Sequence, residues 1–256
     1  MNFYDFNKFE RTEIVEEMYK NILSDIQTGK YNHIFKFFSE EDTYIRKNAY
    51  ILIGRIYNSN NELQTYILKI LEKLFSHDNP VIRQSAINTA GEIGISDFQK
   101  IEFIMEKGLY DEHHKVRNAV IGSIKKMGEK NPTPVLTFAK RFLHHKDEEI
   151  RREICHGIEL FGRKHPQEIL PLLKELENDK TARVRNTLIH VIGQISYKKG
   201  CLETVIKNLN TWSNQDLVEK AIIEIIDVHE RYKNFSAMSK EQAVEYIEKN
   251  FKIFPS

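Results

Sequence analysis

The chain has 256 residues, 41% of them hydrophobic and 29% charged, with a formal net charge of +1, a composition that fits a soluble folded protein and gives no global field favouring nucleic acid or membrane. Two cysteines, Cys155 and Cys201, are too few for a disulfide framework and are expected as free thiols. No stretch reaches the roughly 18 apolar residues of a membrane span.

The start, Met-Asn-Phe-Tyr-Asp-Phe, has neither a basic leader nor an apolar core, so a cytoplasmic location is expected. The aromatic leader Phe3, Tyr4, Phe6 and Phe9 is expected to fold back on the first repeat. Residues 11–27 read as an amphipathic helix through Ile14, Met18, Ile22 and Ile26. It is assigned, with its closing turn (11–30), as an N-terminal capping helix.

From residue 31 to 231 the sequence repeats itself. An aliphatic residue followed by arginine recurs at Ile45-Arg46, Ile82-Arg83, Val116-Arg117, Ile150-Arg151 and Val184-Arg185. The first gap is 37 residues (82 − 45) and the next is 34 (116 − 82). A further step of the same length reaches Val218-Glu219, so six repeats are counted. A unit this short cannot bury its own apolar face and must stack on its neighbours. Each repeat reads as a first helix, a polar turn and a second helix opening at the anchor, as in Val184, Leu188, Val191, Ile192 and Ile195.

The punctuation repeats as well. Pro132 and Pro166 stand where first helices begin, a position that tolerates a missing N–H. Gly94, Gly128 and Gly162 stand eleven residues after the arginine, where a helix end can use a left-handed residue. Asp42, Asp78, Asp147 and Asp179 lie in the turns before second helices, where a carboxylate caps free N–H groups. Residues 232–256 are assigned as a C-terminal capping helix and tail, with Ser239 and Gln242 at capping-box spacing. The expected fold class is all-α: a right-handed α-α superhelix forming a single solenoid domain over 1–256.

The Asp-x-x-Ile/Val-Arg turn and the glycines at 54, 91 and 193 resemble HEAT repeats. The resemblance implies that Asp42, Arg46, Asp78, Arg83, Asp147, Arg151, Asp179 and Arg185 form a structural ladder between repeats. Residues 150–212 have a further, partial resemblance to the HEAT-like DNA alkylation-repair glycosylases, through Ile150-Arg-Arg-Glu-Ile-Cys-His-Gly157, Ile169-Leu-Pro-Leu-Leu-Lys-Glu-Leu176, Val184-Arg185, Ile195-Ser196 and Trp212. It implies binding of duplex DNA in a concave groove and excision of alkylated bases beside acidic and tryptophan residues. Here His156 stands in the slot aligned with a glutamate and Gln194 in the one aligned with an aspartate. Trp212, the only tryptophan, also fits the core pattern after Leu202, Val205, Ile206 and Leu209.

Second helices of such solenoids line the concave surface, which makes Lys47, Asn88, Lys125, Arg152, His156, Arg163, Asn186, His190 and Tyr197 the candidate binding residues. The small glycines are expected to leave a smooth floor between them. No Gly-rich phosphate loop, nucleophile elbow or Cys-x-x-Cys pair occurs, and no catalytic residue is assigned. No cofactor is expected. Metal is not expected either, because equivalent histidines on adjacent helices start roughly 10 Å apart, too far to share one zinc unless the side chains converge. The preferred function is a non-catalytic interaction module holding a protein segment in the groove, with a monomer as the default state. The alternative is a DNA-binding repair protein or divergent alkylpurine glycosylase, using Lys47, Lys125, Arg152, Arg163 and Lys198 on phosphates and His156, His190 or Tyr197 near the lesion.

Overall fold

A computed structural model describes residues 3–252 and, among them, only helices, turns and short connections. The chain divides into two compact units, Met1–Val135 and Leu136–Ser256.

In the first unit a short 3-10 turn (Phe3–Asp5) leads into α1 (Lys8–Thr28), α2 (Asn32–Ser39), α3 (Thr43–Ser59), α4 (Gln64–Phe75), α5 (Pro80–Leu109) and α6 (His114–Lys130). Helix α1 starts three residues earlier than the amphipathic pattern, because Asn7 and Glu10 form a capping box that the apolar spacing does not reveal. Phe3 is buried and its N–H donates to Asp42 Oδ2 at 2.5 Å, while Tyr4 packs edge-on against Tyr44. The leader thus folds back at Phe3 and Tyr4, whereas Phe9 stays 71% exposed. Helices α3, α5 and α6 follow one another across the unit, with α1, α2 and α4 packed behind them. Ile34, Phe38, Ile53, Ile56, Ile67 and Leu71 fill the space between, each contributing roughly 1.5–3 kcal/mol of burial.

Two departures from the regular repeat, one in its length and one in its helix–turn–helix form, have visible causes. The first gap is longer because Asn61–Leu63 forms an added 3-10 turn before α4. Helix α5 joins a second helix to the next first helix without a loop, and the backbone breaks only at Asp97 (φ −140°, ψ 67°). The Tyr57 hydroxyl donates to Asp97 Oδ2 at 2.9 Å across that break. Burial, then the adjacent carboxylate, pushes the Tyr57 phenol up to about 12.

In sequence α7 (Pro132–Phe142) follows, then α8 (Glu148–Gly157), α9 (Glu159–Gly162), α10 (Pro166–Lys174), α11 (Ala182–Ser196), α12 (Cys201–Leu209), α13 (Gln215–Arg231) and α14 (Lys240–Asn250). In the second unit α8, α11 and α13 form one layer and α10, α12 and α14 the other. Ser239 and Gln242 close the capping box of α14, which buries Ala243 and Ile247. Trp212 is 1% exposed, with its indole N–H donating to Asn208 Oδ1 at 2.9 Å. Both cysteines are buried free thiols, and burial pushes each thiol above its ordinary value. No helix of the described residues is long and apolar enough to cross a membrane.

The recurring arginines of the repeat do one local job each. Arg46, Arg83, Arg117, Arg151 and Arg185 all donate through Nη1 to backbone carbonyls of the turn just before their own helix. Arg83 and Arg151 also reach forward. Arg83 binds Asp111 through Nε and Nη2 at 2.7 and 2.9 Å, and Arg151 binds Asp179 the same way at 2.6 and 2.9 Å. Burial alone would raise both aspartates, but these bonds, with the N–H of His113 or Thr181, hold them below the usual carboxylate range. Asp111 belongs to this scheme although the ladder implied by the resemblance does not include it. Asp42 and Asp147 cap α3 and α8 instead, and Asp78 caps nothing, since Asn79 supplies the cap of α5.

The glycines are not helix-end residues in a left-handed conformation. Among the described residues only Gly29 and Gly200 have positive φ. Gly162 is buried, and it has no room for a side chain, since a Cβ there would stand 2.6 Å from Ile195 Cδ1 on α11. Gly54, Gly91 and Gly193 likewise lie beneath neighbouring side chains rather than on an open floor.

Candidate functional site

The nine candidate binding residues are divided between the units. Lys47, Asn88 and Lys125 belong to the first, where Lys47 is exposed and the other two are half-buried. Arg152, His156, Arg163, Asn186, His190 and Tyr197 belong to the second.

Within the second unit four of them converge. Arg163, at the end of α9, donates through Nη1 to the Tyr197 hydroxyl at 3.0 Å and through Nη2 to Gln194 Oε1 at 2.7 Å and to Glu159 Oε1. Tyr197 is only 4% exposed and stacks on Tyr232 with ring centroids 5.2 Å apart, so its ring is not offered to a ligand. Glu159 is 1% exposed, and its other oxygen lies 3.1 Å from His156 Nε2. A buried carboxylate costs several kcal/mol unless it is paired and hydrogen-bonded, and Arg163 and His156 meet that requirement here.

The histidines do not keep the helix-to-helix distance. His156 and His190 have ring centroids 5.7 Å apart at 78°, because both side chains lean into the groove between α8 and α11. The expected separation of about 10 Å holds for helix axes, while the imidazoles close nearly half of it. His190 Nδ1 stands 3.6 Å from Glu224 Oε1 on α13, and that same carboxylate lies 3.6 Å from Arg231 Nη2. A polar strip therefore crosses α8, α9, α11 and α13: Arg163, Glu159, His156, His190, Glu224, Arg231.

Arg152 stands one turn before His156. Its Nε donates to Glu149 Oε2 at 3.0 Å and its Nη2 lies 3.6 Å from Glu153. Glu149 also accepts from Arg183 of α11 at 2.6 Å. Asn186 is exposed on α11. Glu149, Arg183, Glu224 and Arg231 are not among the nine candidate residues. A signal exists for each of them in the repeat length, since Glu224 follows His190, Arg183 follows Glu149 and Arg231 follows Tyr197 by 34 (224 − 190, 183 − 149, 231 − 197); which of these positions pair is set by side-chain reach across helices. The paired histidines elsewhere are separate: His113 and His114 stack on each other at the start of α6, and His144 Nε2 lies 2.6 Å from Glu175.

No protein-family model matches the chain, and no curated protein matches it. Solved structures do. The chain is similar to AlkD2 from Streptococcus mutans, with a TM-score of 0.57 and 17% identity over 81% of this chain and 97% of that one. It is also similar to smu.31 from Streptococcus mutans UA159, with a TM-score of 0.55 and 16% identity over 80% and 97%. At these identities the likeness shows the fold: an all-α HEAT-like architecture, shared with AlkD2.

Proposed function

We propose that the chain is a non-catalytic interaction module that holds a protein segment against the surface of its second helices, centred on α8, α11 and α13. The observation that carries this reading is the pairing of charge on that surface. Arg152, Arg163, Arg183 and Arg231 each face a carboxylate of the chain itself, and so do His156 and His190. Binding to nucleic-acid backbone is driven by cations that neutralise phosphates and release counterions. Cations already matched by Glu149, Glu159 and Glu224 would have to exchange those partners for phosphates, and the carboxylates left behind would repel the strand. A surface alternating both signs suits a polypeptide, whose backbone and side chains carry donors and acceptors together.

The second reading, a DNA-binding repair protein or divergent alkylpurine glycosylase, draws on the likeness of residues 150–212 and on the AlkD2-like fold. The burial of Trp212 and Tyr197 counts against it, since neither ring is available to stack beside a lesion.

Peptide display against the immobilised chain, counter-selected with an Arg152→Glu/His190→Glu variant, tests the proposal beside fluorescence anisotropy with an intact and an abasic-site duplex. Peptides that bind the wild type and lose the variant, with no saturable duplex binding at low salt, support it. Duplex binding that weakens steeply with salt, tightens on the damaged site and disappears in the variant replaces it with the repair reading.

A further inference from the structure

His156, Glu159 and His190 each offer one ligand atom, and these three atoms lie within 4.8 Å of one another. We propose that they form a binding site for a zinc-class divalent transition ion with one coordination position left open. The inference rests on these three side chains and does not depend on the partner proposed above.

Two imidazole nitrogens and one carboxylate oxygen are the donor set that favours zinc and its neighbours over magnesium or calcium, which take oxygen alone. Three protein ligands leave a fourth tetrahedral position for water or a donor atom of a bound molecule. The distances are close to what such an ion needs. With bonds of about 2.0–2.1 Å, tetrahedral ligand atoms stand roughly 3.3 Å apart, and His156 Nε2 is already 3.1 Å from Glu159 Oε2. The remaining spread is closed by a ring movement of roughly 1.5 Å at His190, whose side chain is 42% exposed and has room to rotate.

The surroundings orient the ligands as metal sites require. Arg163 Nη2 holds Glu159 Oε1, which leaves Oε2 turned towards the histidines. Glu224 Oε1, 3.6 Å from His190 Nδ1, is the carboxylate within reach to fix that ring's tautomer. An unmatched buried donor stands beside the trio. Gln194 lies one helical turn after His190, is 3% exposed, accepts from Arg163 through Oε1 and has no partner for Nε2. A buried amide N–H without an acceptor is costly, and this one belongs to the side chain that shares Arg163 with the ligand Glu159.

The test is a titration of the full chain, stripped with a chelator, with Zn²⁺ in competition with a chromogenic chelator and separately with Co²⁺ followed by visible absorption. One equivalent of Zn²⁺ and Co²⁺ bands of four- or five-coordinate intensity are expected. His190→Ala, at a half-exposed position that keeps the fold, and His156→Ala are each expected to weaken binding at least about 100-fold. Glu159→Gln keeps the shape and removes the anionic ligand, with a loss of the same order. His144→Ala, whose ring pairs with Glu175 away from the trio, is expected to bind as the wild type does. Absence of stoichiometric uptake by the wild type, or uptake that survives both His156→Ala and His190→Ala, overturns the assignment.

Discussion

Eight residues after the repeat arginine, the Arg83 repeat of the first unit has Gly91 and the Arg151 repeat of the second has Glu159. The scaffolds around them are nearly superimposable in their chemistry: Arg83 grips Asp111 and Arg151 grips Asp179 with almost the same distances. At Gly91 a side chain has no space, since a Cβ would stand 2.7 Å from Ser123 Cβ on α6. At Glu159 a full carboxylate is buried, and Arg163, His156 and Gln194 are drawn around it. A common turn therefore fixes how successive helices stack, while one position on the helix decides whether the stack is tight and plain or open and polar. The second choice lowers stability relative to an apolar contact, and it falls among the helices on which the proposed interaction surface is centred.

The likeness of the two turns is broken most severely by removing an arginine. Arg151→Met leaves Asp179 buried without its partner, and Arg83→Met does the same to Asp111; both aspartate side chains are 6% exposed. Each substitution is expected to cost about 3–5 kcal/mol, read by urea denaturation. A loss below about 1 kcal/mol at either, the range of exposed pairs, would show that the two turns are not equivalent.

The contrast at the eighth position is sharpened by Gly91→Ala, which forces α5 and α6 apart and is expected to cost about 1–3 kcal/mol. Adding Ser123→Ala removes the nearest atom and is expected to recover part of that loss. Additive effects in the double-mutant cycle would place the strain elsewhere.

The smallest effect concerns pH. His229 on α13 is 1% exposed, with Nδ1 donating to the Ile225 carbonyl at 2.8 Å. Burial lowers its imidazole below the ordinary value, against the pull of that carbonyl. The unfolded chain thus binds a proton more readily than the folded one. The stability His229 contributes is complete above about pH 6.5, the unfolded value, and falls as pH drops through it towards the lowered folded value. His229→Gln is expected to flatten the thermal-stability profile between about pH 7 and about pH 5. An unchanged slope would assign the acid sensitivity to another group.

The candidate site was legible in part. Repeat spacing singles out His156, Arg163 and His190, because equivalent positions of a solenoid share a face. It cannot show that the two rings meet at 5.7 Å, since spacing locates backbones and the leaning of side chains depends on the groups packed beside them. Tyr197 and Asn186 are selected by the same rule and lie buried and exposed respectively, because the rule knows the helix face and not the neighbours packed over it.

By itself the sequence determined the phase of the repeat, the six anchors within helices α3, α5, α6, α8, α11 and α13, and the capping box at Ser239. These are consequences of local periodicity and of hydrogen bonds made within a few residues, which the order of amino acids carries directly. Only the tertiary structure decided that Asp111 is the partner of Arg83, that Gly162 serves close helix packing instead of a left-handed turn, and that Glu159 lies at the centre of a buried cluster. Each of those facts depends on which side chain a neighbouring helix brings within reach, a distance that packing sets and linear spacing does not contain.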